Sequence, residues 1–460
     1  MIKLSTFIVK MRRKIGHSMN LHILEVLKNS TVKLISVGLI GLILTSCSET
    51  AKLANGESFG PRPNLSQMNK KMMPTVNVAK AIGWPADAKP IAAQGTTVVA
   101  FASDLVHPRW LYELPNGDIL VAESTHIEKN NRFSFKAWIA GLLMKKAGAA
   151  LESPNRISLL RDGDGDGVAE QKYVFLKDLN SPFGMALIGN NFYVANADAV
   201  VKFPYQSNQT TITETGSKVV DLPTGRNHHW TKSLLASKDG KKLYVGVGSN
   251  SNIAEHGMAE EKDRAAILEV DLKTNSYSVF ASGLRNPVGL TWEPDTGALW
   301  VSVNERDELG SDLVPDYMTS VRKGGFYGWP YSYYGQNVDT RVQPQRADLV
   351  AHAIVPDYAL GTHTASLGLA AARGNKLPER FKNGMFIGQH GSWNRKPLNG
   401  YKVIFVPFVN GKPAGEPLDV LTGFLNEKGE AKGRPVGVLV NKKGNLMVAD
   451  DVGNTVWLIK

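Results

Sequence analysis

One phrase recurs six times along the chain: a Gly- or Asn-rich turn, then a short β-branched or aromatic run, then a small or polar residue. Asn-Gly and Asp-Gly accept positive φ, and Leu-Tyr-Val runs favour a pleated, half-buried surface. Each copy therefore predicts a tight turn that opens a strand. The copies are Asn116–Glu123, Gly189–Asn196, Asp239–Gly246, Thr296–Ser302, Lys382–Gly388 and Lys443–Asp450.

The spacing of the copies indicates repeated β units. Their central residues lie 73, 51, 56, 86 and 61 residues apart. The 414 residues from Cys47 onward give 69 residues per unit, enough for four strands of about 5–6 residues with loops. We therefore predict an all-β fold, a six-bladed β-propeller with a short helical insertion, in place of the two or three domains that 460 residues would otherwise suggest.

The N-terminus carries most of the basic excess. The formal net charge is +11, and residues 1–46 hold seven Lys or Arg against one Glu, which leaves +5 for the rest. The apolar stretch Leu34–Leu44 suits a signal-peptide h-region, and Thr45-Ser46-Cys47 resembles the end of a bacterial lipobox. Cys47 is the only cysteine, so lipidation is predicted there and disulfides are not. Nucleic acid is not needed to explain the charge.

These features divide the chain into a lipoprotein signal peptide (1–46), a polar tether (47–80) and the propeller (81–460). The alternative, a buried cysteine in an ordinary N-terminal helix, leaves the h-region and its basic flank unexplained. We expect an exported protein that is lipid-anchored at the periplasmic or cell-surface side of a bacterial membrane.

Two insertions depart from the period. Residues 126–153 place apolar side chains at helical spacing beside Lys136, Lys145 and Lys146. This basic helix could lie on a membrane surface, but we favour packing as a lid on the propeller. The 86-residue gap holds the aromatic, Gly-rich stretch 324–335, and long insertions in a compact scaffold are more often functional than decorative.

Polar clusters accompany the repeat phrases, and propellers gather such residues at the mouth of the central channel. Arg285, Arg395 and Arg434 come from three different blades and suit a small planar polyanion, because guanidinium groups bind carboxylates bidentately and stack on flat rings. A histidine of the Arg226–Trp230 cluster can act as a general base. The carboxylates and carbonyls of residues 304–312 suit a hard cation such as Ca²⁺.

Three segments carry a resemblance to a known family: Gly283–Leu290, Val303–Asp312 and Lys323–Pro330. They resemble the soluble quinoprotein glucose dehydrogenases and L-sorbosone dehydrogenases, nearest the sorbosone branch, from about Val106 to Lys460. The resemblance implies a six-bladed propeller that holds pyrroloquinoline quinone (PQQ) and Ca²⁺. It also implies a sugar or aldehyde substrate and an electron acceptor such as a cytochrome or the quinone pool.

The resemblance also implies roles for individual residues. His229 matches the catalytic base, with His228 as the fallback, and Arg285 and Asn286 match the pair at the reactive quinone carbonyls. Asn304 or Glu305 resembles a glutamine near the cofactor. The remaining cofactor matches are Arg395, Arg434 and Asp450, and the calcium loop is matched by Glu305, Arg306, Asp307 and Asp312.

The implied reaction is oxidation of an aldose or hydrated aldehyde: His229 takes the hydroxyl proton while hydride passes to the quinone, which Ca²⁺ and Arg285 polarise. No GxGxxG segment supports a nicotinamide enzyme. Two rivals remain. One is a calcium-dependent, lactonase-like propeller. The other is a non-catalytic lipoprotein whose propeller binds carbohydrate or protein.

A separate motif lies at residues 162–170. Asp162, Asp164 and Asp166 occupy the first, third and fifth positions of an EF-hand-like loop, but Tyr173 stands where the twelfth-position Glu is needed. A structural Ca²⁺ site and a merely acidic turn are about equally supported, and the motif is distant in sequence from the cofactor residues.

Overall fold

The computed structural model describes residues 49–54, 56–69, 75–126 and 135–460. The predicted signal peptide and Cys47 lie outside the described residues.

The described chain consists mainly of short strands. The helices are α1 (Phe135–Lys146) and α2 (Ala347–Ala351), with 3₁₀ turns at Met258–Glu261 and Glu379–Phe381. The strands are β1 (Phe59–Gly60), β2 (Ile91–Ala92), β3 (Val98–Ala102), β4 (Pro108–Glu113), β5 (Ile119–Glu123), β6 (Arg156–Arg161), β7 (Gln171–Leu176), β8 (Gly184–Ile188), β9 (Asn191–Ala195), β10 (Ala199–Pro204), β11 (Ser217–Asp221), β12 (Lys232–Ala236), β13 (Lys242–Val247), β14 (Ala266–Asp271), β15 (Ser276–Ser282), β16 (Pro287–Trp292), β17 (Leu299–Val303), β18 (Pro315–Ser320), β19 (Ser332–Tyr333), β20 (Asn337–Val338), β21 (Tyr358–Thr362), β22 (Ser366–Ala371), β23 (Gly384–Gln389), β24 (Lys402–Val409), β25 (Lys412–Pro413), β26 (Leu418–Thr422), β27 (Pro435–Val440), β28 (Leu446–Asp450) and β29 (Thr455–Ile459).

Within the described residues, these strands form six antiparallel blades, which confirms the predicted six-bladed β-propeller. Blades 1 to 3 are β4–β7, β8–β11 and β12–β15. Blade 4 is β16-β17-β18-β21, blade 5 is β22-β23-β24-β26, and blade 6 is β27-β28-β29-β3. The short strands β1 and β2 extend the outer edges of blades 4 and 5.

All six repeat phrases form the second strand of a blade, namely β5, β9, β13, β17, β23 and β28. The turns work as the sequence predicts: Gly117 and Gly444 adopt φ of 93° and 87° just before their strands. The strands are apolar on both faces because each blade packs between two others. In blade 1, Leu120 belongs to an apolar cluster shared with blade 2, whereas Val121 belongs to an apolar cluster shared with blade 6.

The ring closes by joining the two ends of the propeller sequence. β3, which precedes blade 1, pairs antiparallel with β29, with Val98 opposite Ile459 and Val99 opposite Leu458. Blade 6 therefore depends on a strand that comes before blade 1 in the chain, and no edge is left open between the first and last blades.

The interval predicted to be a polar tether is folded against the propeller, where its described residues form backbone hydrogen bonds. The Ala51 N–H donates to the Lys396 carbonyl at 2.7 Å, the Asn77 N–H to the Trp393 carbonyl at 2.8 Å, and the Ala431 N–H to the Lys80 carbonyl at 2.8 Å. The described part of residues 47–80 is therefore not a free linker. Its polar composition concealed these contacts, which are made by the backbone and by a few apolar side chains such as Phe59, Leu65 and Ala79.

Candidate active site

The innermost strands β4, β8, β12, β16, β22 and β27 all begin at the same end of the channel. The second strands run antiparallel to them and end there. The residues just before each first strand and just after each second strand therefore meet in one place. We call this end of the channel the mouth.

An apolar plug forms the floor of the mouth. It draws one side chain from each blade: Trp110, Phe183, Trp230, Val288, Leu367 and Val436. In four blades the next residue is glycine, and a Cβ on Gly437 would lie 2.7 Å from the Arg109 carbonyl oxygen. The glycines let the first strands approach closely, so the channel is closed below the mouth.

The sequence carries a signal for this plug that the repeat analysis missed. Pro182-Phe-Gly, Pro287-Val-Gly and Pro435-Val-Gly open three first strands, and Ser366-Leu-Gly opens a fourth. Below the plug, the other halves of the first strands line a cavity of about 390 Å³ whose walls are mostly apolar. The polar residues lie above the plug.

On the blade 3 and blade 4 side, His229 is held by one wall of the mouth. Its Nδ1 lies 2.9 Å from the Ser249 carbonyl oxygen and 3.0 Å from Ser249 Oγ. A carbonyl can only accept, so Nδ1 carries the proton and Nε2 is left with its lone pair. Burial, together with the positive charges of Arg285 and His228, lowers the pKa of His229 well below its usual value. His229 is therefore neutral at pH 7 and able to accept a proton at Nε2.

The fallback residue, His228, lies against His229 with the ring centroids 4.7 Å apart. Unlike its neighbour it is exposed. Asn286 lies near His229, because both side chains crowd the position of a Cβ on Gly248. The Oδ1 atom of Asn286 is buried with no hydrogen-bond partner among the described residues.

Arg285 is 1% exposed and is fixed by its terminal nitrogens. Nη1 donates to the Glu305 carbonyl at 2.7 Å, and Nη2 donates to Asn252 Oδ1 at 3.0 Å and to Asp307 Oδ2 at 3.2 Å. Its buried Nε has no partner among the described residues. Arg285 is therefore a rigid cation with one N–H to spare.

Asp316, which the sequence analysis did not single out, anchors the loop after β17. It accepts from Glu305 N–H at 2.9 Å, Ser366 N–H at 2.8 Å and the Asn304 side-chain amide at 3.3 Å. Burial raises the pKa of Asp316 to about 6 and that of Glu305 to about 7. The Asn304 amide predicted to approach a cofactor thus donates to a structural carboxylate.

The residues predicted to bind calcium at the mouth do not converge on one ion. Arg306 forms a buried ion pair with Asp339 and donates to the Asp307 carbonyl at 2.9 Å. Asp312 Oδ2 accepts the Lys52 N–H at 2.5 Å. The Glu305 carbonyl accepts from Arg285, whereas the buried Glu305 Oε1 and Asp312 Oδ1 atoms have no hydrogen-bond partner among the described residues. Binding of Ca²⁺ by Glu305, Arg306, Asp307 and Asp312, through backbone or side-chain oxygens, stays a prediction.

Asp307 belongs to a different arrangement. Its Oδ1 lies 3.4 Å from His363 Nδ1, and its Oδ2 lies near Arg285. Although burial opposes the effect, His363 and Arg285 hold the pKa of Asp307 below its usual value. Asp307 is therefore the counter-ion of Arg285 at the mouth.

Arg395 and Arg434 lie on the blade 5 and blade 6 side. Arg395 Nη1 donates to the Pro397 carbonyl at 2.9 Å, and burial lowers its pKa. The Arg434 guanidinium lies 5.2 Å from the centre of the Tyr401 ring. Both arginines are buried, and the Nε of each has no partner among the described residues.

The structure places Asp450 in a structural role. Its carboxylate accepts from Trp84 Nε1 at 2.7 Å, Trp457 Nε1 at 3.0 Å, and the N–H groups of Arg434 and Gly453 at 2.7 and 2.8 Å. Burial raises its pKa to about 6. Four protein donors occupy this carboxylate, so the prediction that Asp450 faces a cofactor is corrected.

Asp451 forms a second cluster, which the sequence analysis missed. Its Oδ2 forms a buried ion pair with Arg109, accepts from His390 Nε2 at 2.8 Å and lies 3.7 Å from His107 Nε2. Despite burial, His390, His107 and Arg109 hold the pKa of Asp451 well below its usual value. Burial lowers the pKa of His107 to about 4. The available signal was positional: His107 precedes a first strand, whereas His390 and Asp451 follow second strands.

The acidic motif lies at the opposite end of the propeller, between β6 and β7. Carboxylate oxygens of Asp162, Asp164, Asp166 and Glu170 come within 4.8 Å of one another, and Lys443 donates to Asp162 at 3.0 Å. In the part of the chain that the structure describes, no other group of three or more such side chains is close enough to hold a metal. A structural Ca²⁺ at this loop stays a prediction.

Comparison with known proteins identifies the family. The model of the TrAA12-like family matches residues 151–323 and 335–460. The chain belongs to the TrAA12-like family. This confirms the predicted relationship to the quinoprotein sugar dehydrogenases.

Two curated relatives are informative. An uncharacterized protein of Borreliella burgdorferi is 28% identical over 300 residues, covering 62% of this chain and 77% of the relative. A pyrroloquinoline quinone-dependent pyranose dehydrogenase of Coprinopsis cinerea is 23% identical over 402 residues, covering 72% of this chain. The match covers 54% of the Coprinopsis enzyme, so the chain spans about half the length of that relative.

Solved structures support the fold. The holo form of the Coprinopsis pyranose dehydrogenase PQQ domain has a TM-score of 0.66 at 21% identity, covering 84% of this chain and 100% of that domain. The apo form of the soluble aldose sugar dehydrogenase of Escherichia coli has a TM-score of 0.54 at 18% identity, covering 79% of this chain and 99% of that one. At these identities the likeness shows the fold of the TrAA12-like chain.

Proposed function

We propose that this protein is a PQQ-dependent dehydrogenase that oxidises an aldose or sugar aldehyde at the mouth of the propeller. The observation that carries the proposal is a set of buried polar atoms that have no partner among the described residues: Arg285 Nε, Asn286 Oδ1, Arg395 Nε and Arg434 Nε. They come from blades 4, 5 and 6 and lie at one end of the channel. Unpaired buried polar groups are costly unless a ligand satisfies them. The PQQ-dependent relatives support quinone as that ligand.

The residues present fit a flat, anionic molecule. Arg285, Arg395 and Arg434 are positive, and the plug below them, with Trp110, Trp230 and Phe183, offers an apolar floor for a planar ring. When bound, PQQ would supply an electrophilic quinone that accepts a hydride from the sugar carbon.

The chain itself would supply the proton transfer. The Ser249 carbonyl fixes the tautomer of His229, so Nε2 can take the proton of the substrate hydroxyl. Arg285 cannot swing away, because Glu305, Asn252 and Asp307 hold it, so it presents a fixed positive charge where negative charge develops. No step is assigned to calcium, because the described side chains of the loop predicted to bind it do not form a group close enough to share one metal ion.

Export and anchoring belong to the same proposal. The h-region and Cys47 support lipidation, and a lipid-anchored dehydrogenase would pass its electrons to a membrane or periplasmic acceptor such as a cytochrome or the quinone pool. Among the described residues, no helix has the length and apolarity needed to cross a membrane.

Reconstitution tests the proposal. Purified protein is mixed with PQQ in buffer containing Ca²⁺, and dye reduction is followed across a panel of aldoses and aldehydes. We expect saturable PQQ binding and sugar-dependent dye reduction. Arg434→Lys, which keeps the charge but loses the planar fork, should weaken PQQ binding roughly tenfold. No PQQ binding by wild-type protein would refute the proposal, whereas binding without turnover would refute the sugar dehydrogenase activity alone.

A further inference from the structure

Helix α1 lies on the same face of the propeller as the candidate active site. It is inserted between β5, which ends at the mouth, and β6, which begins there. Thr125 closes the base of the insertion: its N–H donates to Ser153 Oγ at 3.0 Å and its hydroxyl to the Leu151 carbonyl at 2.9 Å. The C-terminal end of α1 contacts the N-terminal segment, where Ala81 N–H donates to the Lys146 carbonyl at 2.9 Å.

The described end of this insertion leaves large apolar side chains in contact with solvent. Leu142, Met144 and Leu151 are 50%, 42% and 48% exposed. Val76 and Ile82 of the adjoining N-terminal segment are 45% and 42% exposed. Soluble surfaces rarely gather this many exposed apolar side chains in one region without a partner. The described end of the insertion therefore does not bury these side chains against the propeller, and lid packing of its remaining residues stays a prediction.

Charge identifies the kind of partner. The sequence of α1 contains Lys136, Lys145 and Lys146 and no acidic residue, and the last two lysines are exposed beside Leu142 and Met144. Exposed apolar groups flanked by lysines match the boundary between anionic headgroups and acyl chains. An acidic protein partner would match the lysines but would not by itself favour the apolar side chains.

The N-terminal segment indicates independently which face of the propeller lies toward the membrane. Ala51 is hydrogen-bonded to Lys396, in the mouth loop between β23 and β24. Cys47 precedes Ala51 by four residues, which span at most about 14 Å when extended. A lipid on Cys47 would therefore hold this face of the propeller, and not the opposite one, close to the bilayer.

We propose that the mouth face is the membrane-facing surface of the protein, with α1 as its contact element. Leu142, Met144 and Leu151 enter the headgroup region of an anionic phospholipid bilayer, and Lys145 and Lys146 pair with lipid phosphates. The inference rests on the proposed lipid anchor for its direction and is independent of the bound quinone and of turnover.

Depth-dependent quenching tests this orientation. Lipidated full-length protein is reconstituted into phosphatidylethanolamine/phosphatidylglycerol vesicles with a fluorescent thiol label at Leu142→Cys. A matched label at Lys238→Cys reports on the exposed β12–β13 turn at the opposite end of the channel. The unsubstituted chain, whose single thiol would carry the lipid, gives the baseline. We expect brominated lipids to quench the Leu142→Cys label severalfold more than the Lys238→Cys label.

A charge-reversal pair separates lipid contact from anchoring. Lys145→Glu with Lys146→Glu should reduce quenching at position 142 severalfold in vesicles with phosphatidylglycerol. Lys238→Glu with Lys241→Glu changes the same charge on the opposite face and should have no effect. Dye-linked turnover should be unchanged in both.

Several results would overturn the orientation. Vesicle-bound protein with both labels unquenched would place the mouth away from the membrane. Failure of the protein to float with vesicles would contradict both the lipid anchor and the proposed membrane-facing surface. Protection of position 142 that requires crosslinkable dimers would assign the face to a second copy of this chain. None of these outcomes depends on PQQ binding, so they are distinguishable from failure of the proposed reaction.

Discussion

Two histidine clusters face each other across the mouth, and their partners give them different chemistry. On one side, His229 donates to a backbone carbonyl and touches no carboxylate in its hydrogen bonds. On the other, His390 and His107 surround the buried Asp451, which also pairs with Arg109. A carbonyl fixes a neutral imidazole with a free nitrogen, whereas a carboxylate ties imidazole and guanidinium groups into an ionic network. The difference predicts a catalytic role for the first cluster and a structural role for the second.

The largest effect should come from His229→Gln. The glutamine amide can still donate to Ser249 but cannot accept the substrate proton, so kcat should fall by about 1,000-fold. PQQ binding should stay within a few-fold of wild type. Steady-state dye reduction and quinone titration measure the two quantities. Turnover that survives the substitution would move the base to another residue.

Asp451→Asn should affect stability more than chemistry. Removing the carboxylate charge leaves Arg109 as a buried, unpaired cation, which costs about 4 kcal/mol in the free energy of unfolding. Denaturant unfolding at neutral pH measures the change. The matched substitution Asp221→Asn, at an exposed surface pair, should cost less than about 1 kcal/mol. A mutant as stable as wild type would show that the second cluster is not a structural ion network.

Lowering the pH should reduce the contribution of the same cluster to the free energy of unfolding. The folded-state pKa of His107 is lowered to about 4. Between this value and about 6.5, the unfolded chain therefore binds a proton at His107 that the folded chain does not bind. Stability is then complete above the unfolded value near 6.5 and falls as the pH drops from there toward 4, by up to about 3 kcal/mol from this residue. Because the pKa of Asp451 is held below its usual value, its contribution is lost only at still lower pH. The free energies of unfolding of wild type and His107→Gln, measured as a function of pH, should converge as the pH falls through this window. A constant difference between them would contradict the lowered pKa of His107.

The smallest effect is expected for His228→Gln. His228 is exposed and contacts His229 edge-on, so its loss should change kcat by less than about threefold. This variant is the internal control for His229→Gln, since both alter one imidazole in the same loop. A large loss of turnover only in His228→Gln would reverse the assignment of the two histidines.

The sequence predicted the architecture because propeller blades are local. Each repeat phrase such as Asn116–Glu123 contains both the turn and the doubly buried strand that follows it, so period and hydrophobicity identify the second strand of every blade. The arginines at the mouth were also accessible from the sequence, since Arg434 directly precedes, and Arg285 lies two residues before, a proline that opens a first strand. The TrAA12-like membership agrees with the resemblance seen in those segments.

The sequence alone does not show which polar side chains of the mouth form hydrogen bonds and ion pairs with each other. Asp450 and Asp451 are adjacent and chemically identical, yet alternation along the backbone turns one toward Trp84 and Trp457 and the other toward His390 and Arg109. The surroundings of the predicted calcium loop were hidden for the same reason, because Arg285 and the N–H of Lys52 reach its oxygens from segments remote in sequence.

The sequence alone therefore predicts the number of blades, the second strand of each and the loops that reach the channel, because turn residues and short apolar runs act over a few neighbouring positions. Only the tertiary structure decided which polar side chains meet, which carboxylate is structural, and that the N-terminal segment lies on the mouth face. Those outcomes depend on contacts between residues as far apart as Trp84 and Asp450, which no local pattern encodes.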